Sequence, residues 1–233
     1  MTAAYRESPF NTLPAAVWLL AAPIIASEAL FGLAGLGFIS GAQGVGMRVN
    51  AVGMTAYLPE FGLRAWALGE FDMNLFQRML TYPFIHGSFV HAAFVLVFTL
   101  ALGKLVAEQF RPWAFVALFF GSAIGAAVIY TLAAGLIGGR AYPLIGGYPA
   151  VYGLVGAFTF ILWVRLGMEH ANRLRAFSLI GMLLLFQLVF GLLQGGGGYV
   201  WIADVSGFAV GFALSFVLIP GGFARAMRAI RHR

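Results

Sequence analysis

Apolar residues run almost unbroken through six stretches of this chain, at about 14–39, 84–102, 113–137, 147–164, 176–193 and 199–219, and charged residues collect between them. A helix needs ~20 mainly apolar residues to cross the hydrocarbon of a bilayer. Each stretch reaches or approaches that length, so the pattern predicts an all-α, polytopic membrane protein with six transmembrane helices. The first stretch is longer than the ~7–15 apolar residues of a signal-peptide core and shows no convincing cleavage pattern, so it is expected to be a retained span.

The segment at about 40–83, between spans one and two, follows another pattern. Tyr57, Phe61, Trp66, Phe71 and Phe76 are scattered among Arg64, Glu70, Asp72 and Arg78. Aromatic and charged residues mixed in this way suit a segment lying at headgroup level, and a connection this long is expected to carry structure of its own. An ordinary extracytoplasmic hairpin is the alternative. The chain reads as one integral membrane domain over 1–233, with this structured outer loop and a basic tail at 220–233.

Composition agrees. Hydrophobic residues make up 61% of the chain and charged residues 9%, far below the roughly 25% charge of a soluble domain. There is no cysteine, which excludes disulfides, thiolate metal sites and a cysteine nucleophile. The net charge of +6 does not call for a nucleic-acid partner, because the basic residues flank spans. With the N-terminus inside, Arg6, Lys104, Arg111, Arg165, Arg173, Arg175, Arg225, Arg228, Arg231 and Arg233 fall on the cytoplasmic side, and Arg48, Arg64, Arg78 and Arg140 outside. That asymmetry follows the positive-inside rule. Both termini are therefore expected in the cytoplasm, and the setting expected is a bacterial inner (plasma) membrane. Basic residues of the tail would meet anionic lipid headgroups, at about 1 kcal/mol each.

Polar residues inside spans are costly and mark contacts or function. Glu28 should face the bundle interior, against Ser, Thr or neighbouring backbone, and Gln187 should act similarly in span five. Small residues four apart, Gly121/Gly125 and Gly207/Gly211, suit close helix packing. Gly195–Gly198 would permit movement of span six. Lys104, Glu108 and Arg111 read as an anchor at the cytoplasmic end of span two.

Three further stretches carry candidate chemistry: Phe84-Ile85-His86-Gly87-Ser88-Phe89-Val90-His91 with Val95 four residues on, Gly146-Gly147-Tyr148-Pro149-Ala150-Val151-Tyr152-Gly153 with Gly156 beyond it, and Asp204-Val205-Ser206-Gly207-Phe208-Ala209-Val210-Gly211. Together they resemble the active-site helices of the rhomboid intramembrane serine proteases over about residues 76–216. In that family a Ser in G-x-S-G-x-x-[YF]-[AG] pairs with a His in H-x-x-G-x-x-x-G, and an F-x-H-G-x-x-x-H-x-x-x-N stretch helps to hold the oxyanion.

The resemblance implies a six-helix rhomboid-like bundle whose dyad positions are taken by Tyr148 and Asp204. The oxyanion positions become His91 and Val95, a residue with no donor. Tyr152 stands where the family stacks an aromatic on its catalytic His, and Gly153, Gly156, Gly207 and Gly211 are packing positions. No residue is expected to be catalytic. A serine nucleophile needs a base to remove its proton, whereas an unperturbed Asp, of pKa about 3.9, is a poor base toward a phenol of pKa about 10.

His86, His91, Tyr148, Tyr152 and Asp204 are the candidates for a cavity or binding site. Asp204 is expected to bond Tyr148, His86 or His91, with a proton- or ion-sensing site and a water-exposed position as alternatives. Metal binding is not expected, for want of a third ligand at helix spacing, and no cofactor is implied. The function expected is that of a rhomboid-like pseudoprotease that binds or escorts other membrane proteins or transmembrane helices, or serves as a subunit of a membrane complex, with lipids as its other contacts. The rival is an active intramembrane serine endopeptidase cleaving transmembrane segments. A small transporter or channel, resting only on Glu28 and Asp204, is the third class.

Overall fold

The computed structural model describes residues 13–39, 46–138, 141–184 and 199–221. In chain order the helices are α1 (Ala15–Gly35), α2 (Met47–Thr55), α3 (Pro59–Leu68), α4 (Met73–Thr81), α5 (Phe89–Ala107), α6 (Pro112–Ile137), α7 (Tyr148–Met168), α8 (178–184) and α9 (Trp201–Leu218). Five of them, α1, α5, α6, α7 and α9, are long and apolar enough to cross a membrane. The chain is an all-α integral membrane protein. The expected fifth span begins at α8, but most of it, with Gln187 and Gly195–Gly198, lies outside the described residues, as do Arg6, Arg140 and the basic tail.

α6 and α7 form the centre, each half buried along its most apolar window against about a third for α1, α5 and α9. α7 lies along α9 and α6 lies against both, while α1 and α5 pair with each other and reach the centre mainly through α5 against α7, with further contacts of both to α6. Glycine sets the closest approach. A side chain on Gly207 would strike the Pro149 carbonyl, one on Gly211 the Gly153 backbone, and one on Gly156 the Phe208 carbonyl. Gly121 and Gly125 of α6 likewise receive Leu214 and Val210 of α9. Without a hydrophobic force between helices in lipid, association depends on such close backbone packing.

The outer loop is folded, as α2, α3 and α4. Pro59 opens α3, and Gly69, at φ +70°, ends it, as expected of proline in a first turn and glycine at a left-handed cap. Asp72 caps α4 by accepting the Leu75 N–H at 2.8 Å. Arg78 then gathers the loop, donating to the carbonyls of Gly53 (3.0 Å) and Ala56 (2.7 Å) and to Asn74 Oδ1 (2.7 Å) while lying over the Phe61 ring. Tyr57 locks the loop to the bundle. It is fully buried, exchanges backbone hydrogen bonds with Leu144 at 3.0 and 2.8 Å, and shares a 2.6 Å hydrogen bond with Thr131 of α6. Leu144 belongs to the segment that leads into α7, so the loop and the start of α7 are held as one piece.

Span two does not begin as a helix at Phe84. Tyr82–Phe84 is a single 3-10 turn, Ile85 is extended, and α5 starts only at Phe89. Two local features cause this. Pro83 within the 3-10 turn has no N–H to continue the hydrogen-bond ladder of α4, and extended Ser88 takes the N-cap, its Oγ accepting the His91 N–H at 3.2 Å. His86 therefore sits on irregular backbone and only His91 on the helix.

Candidate functional site

Three elements converge: the irregular 82–88 stretch, the first turn of α5, and the Gly146–Gly147 turn that starts α7. Gly146 has φ +83°, and a Cβ there would lie 2.6 Å from His91 and 2.8 Å from His86. Only glycine meets both demands. The Gly146 N–H donates to the Tyr82 carbonyl at 2.9 Å, and the Gly147 N–H donates to His86 Nε2 at 3.3 Å. These bonds fix the turn against the 82–88 stretch. Tyr148 is the first residue of α7, with Pro149 following in the first turn, where its missing N–H would have no intrahelical partner.

The Tyr148 ring stacks on His91, centroids 4.8 Å apart and planes at 18°, and His91 meets His86 edge-on at 5.0 Å. Three of the five candidate residues therefore form one continuous contact. Val95 is fully buried on the same face of α5 and faces Gly147. At the place where a donor would reach the turn, the chain offers a methyl group.

Asp204 and Tyr152 are both buried, and both make interactions within the fold. Asp204 lies in the first turn of α9, one turn before Gly207, whose contact with the Pro149 carbonyl brings that part of α9 beside the start of α7. α9 packs mainly on α6 and α7, while α5 meets α7. The start of α7 therefore lies beside both the histidine pair and the first turn of α9. Ser206 is buried and, two residues from Asp204, points to another side of the helix.

The expectation for Glu28 is corrected. Instead of a hydroxyl or backbone group it meets a cation: Arg48 of α2 forks onto it, Nη1 to Oε1 at 2.8 Å and Nη2 to Oε2 at 2.7 Å. Arg48 Nη1 also donates to the His86 carbonyl at 2.9 Å, and its guanidinium lies 4.7 Å from the Phe31 ring. Glu28 is two turns from the end of α1, roughly 10 Å at ~1.5 Å per residue, within reach of the loop. The bidentate bond to Glu28 holds Arg48 protonated even more firmly than an ordinary arginine. The neighbouring Ser27 shares its hydroxyl proton between the Ile24 carbonyl of its own helix (2.9 Å) and the Phe84 carbonyl (3.2 Å). Together these bonds give partners to two carbonyls of the irregular backbone that carries His86, as a non-helical stretch at membrane depth requires. A buried carboxylate in span one and a lone arginine early in the loop were the only sequence signals for this clamp.

Among the described residues, no three His, Asp or Glu side chains are grouped to hold a metal ion. His86 Nδ1 and His91 Nε2 are buried without a hydrogen-bond partner.

The rhomboid domain family model matches residues 74–221, well over half of the chain and all of this site. The chain belongs to the rhomboid family. No curated protein gives a significant match to it. The matched span contains the turn before α7, the histidine pair at the start of α5 and the glycine contacts of α7 with α9, together with Tyr148 and Asp204.

Proposed function

We propose that this rhomboid binds or escorts transmembrane segments of other membrane proteins, or serves as a subunit of a membrane complex, without cutting them. The observation that carries this is the Tyr148 ring stacked on His91 at 4.8 Å. A phenol extends its oxygen several bonds beyond the place of a serine hydroxyl, and its ring fills the space beside the oxyanion histidine. Asp204 is unsuited to deprotonating it. Val95 presents no donor, and loss of one oxyanion donor alone costs about 10²–10³ in rate. The setting that goes with this reading is a bacterial inner membrane with both termini in the cytoplasm, supported by the distribution of Lys and Arg between loops.

Cleavage of a model transmembrane substrate by the reconstituted chain tests the proposal. No product is expected from the natural chain, from Tyr148→Phe, or from Asp204→Asn. Turnover by the natural chain that disappears in Tyr148→Phe overturns it. Purification in mild detergent should recover a specific membrane-protein partner, and recovery of none across several detergents counts against the binding role.

A further inference from the structure

Between the outer loop and the bundle runs a groove of about 380 Å³, walled by Trp66 of α3, Phe76 and Leu80 of α4, and Ile124 and Val128 of α6. The only hydroxyls along it are already engaged, since Tyr57 and Thr131 bond each other at 2.6 Å and Thr131 Oγ1 bonds the Ala127 carbonyl at 2.8 Å. A polar occupant finds no anchor and a water no free partner. The volume lies within the roughly 300–1,000 Å³ of small-molecule sites.

Depth identifies the surroundings. The α6 wall of the groove lies roughly 9–20 Å below the end of that helix, at ~1.5 Å per residue, which is the level of one leaflet's acyl chains in a hydrocarbon core ~30 Å thick. Trp66, Phe76 and Leu80 are each nearly half exposed, so the mouth opens sideways to lipid.

Leu75 also lines a second hollow of about 240 Å³ that carries Arg64, Glu70 and Asp72. One cation beside two carboxylates complements a headgroup bearing both a phosphate and an ammonium, and opposes one bearing negative charge alone. We propose that α3, α4 and α6 form a binding site for a zwitterionic phospholipid, with one acyl chain in the groove, its phosphate at Arg64 and its ammonium at Glu70 and Asp72. The site is independent of the reading of Tyr148 and Asp204.

The test is native mass spectrometry on the delipidated full chain in mild detergent, titrated with phosphatidylethanolamine or phosphatidylglycerol of identical acyl chains. One phosphatidylethanolamine should be retained, at least about tenfold more tightly than phosphatidylglycerol. Val128→Trp fills the groove and should weaken retention at least about tenfold, the equivalent of about two buried methylenes. Ile129→Trp, one residue along α6, should leave retention unchanged. Leu80→Trp fills the groove from the opposite wall and gives the same readout if Val128→Trp does not fold. Arg64→Gln should weaken retention and leave the unfolding midpoint in place. Equal retention of the two lipids, or retention unmoved by both groove-filling variants, overturns the proposal.

Discussion

Where α7 meets α9 the contact is backbone on backbone, with Gly207 under the Pro149 carbonyl and Gly211 under Gly153. Where α1 meets the outer loop and the 82–88 stretch, the contact is charge and hydrogen bond, with Arg48 forked on Glu28 and donating to the His86 carbonyl. The difference follows from what each region has to satisfy. Two regular helices have already bonded their own N–H and C=O groups, so small residues and van der Waals contact suffice. A loop and an irregular stretch at membrane depth leave backbone groups open, and those need partners from within the protein. The candidate site lies on the seam between the two regions, with Tyr148 on the glycine-packed side and His86 and His91 on the clamped side.

The comparison breaks most visibly at glycine. Gly211→Val should cost at least about 3 kcal/mol, the upper range for overpacking, because the added atoms meet the backbone of α7, which cannot rotate away as a side chain can. Thermal unfolding in detergent, or loss of folded protein on purification, reads it. A variant as stable as the natural chain would show that α7 and α9 separate freely.

Next comes the clamp. Breaking one side of a buried ion pair typically costs about 3–5 kcal/mol. The Glu28 side chain is 9% exposed but Arg48 is 23% exposed, so solvent screening should bring Arg48→Met or Glu28→Gln nearer about 2 kcal/mol. A double-mutant cycle should give a coupling above about 1 kcal/mol. Additive losses would mean that Arg48 stabilises through the His86 carbonyl and Phe31 alone.

Single hydrogen bonds should come lower. Tyr82→Phe removes a buried hydroxyl that donates to the Ala123 carbonyl at 2.8 Å, and should cost about 1–2 kcal/mol because the carbonyl loses a buried donor. Smallest is Ser88→Ala, at about 1 kcal/mol for a lost N-cap. Its effect should be local, with faster amide exchange at His91 and little change in the global midpoint. If Ser88→Ala unfolds the chain as Gly211→Val is expected to, the division into two regions fails.

Much of the architecture was legible because bilayer thickness sets one length for every span. The apolar runs at 113–137 and 199–219 appear as α6 (Pro112–Ile137) and α9 (Trp201–Leu218). The motif glycines were legible for a related reason, since small residues four apart have few uses in a lipid-embedded helix other than contact. The start of span two was not. Phe84–Ser88 leads directly into the apolar run of span two and so reads as its first turn, and hydropathy does not register that Pro83 and the Ser88 cap hold the chain outside a helix. The partner of Glu28 was hidden as well, because an arginine twenty residues on is one of several loop cations until folding brings it close.

By itself the sequence determined the solvent, the helices and the side chains of the motif stretches, because hydropathy, span length and residue identity are local properties that do not depend on which segment meets which. Tertiary structure alone decided that Tyr148 stacks on His91, that Gly207 of α9 meets the Pro149 carbonyl, and that Arg48 holds the backbone of His86. Each of these depends on crossing angles and close approaches between segments far apart in the chain, which are set by how all the side chains pack at once.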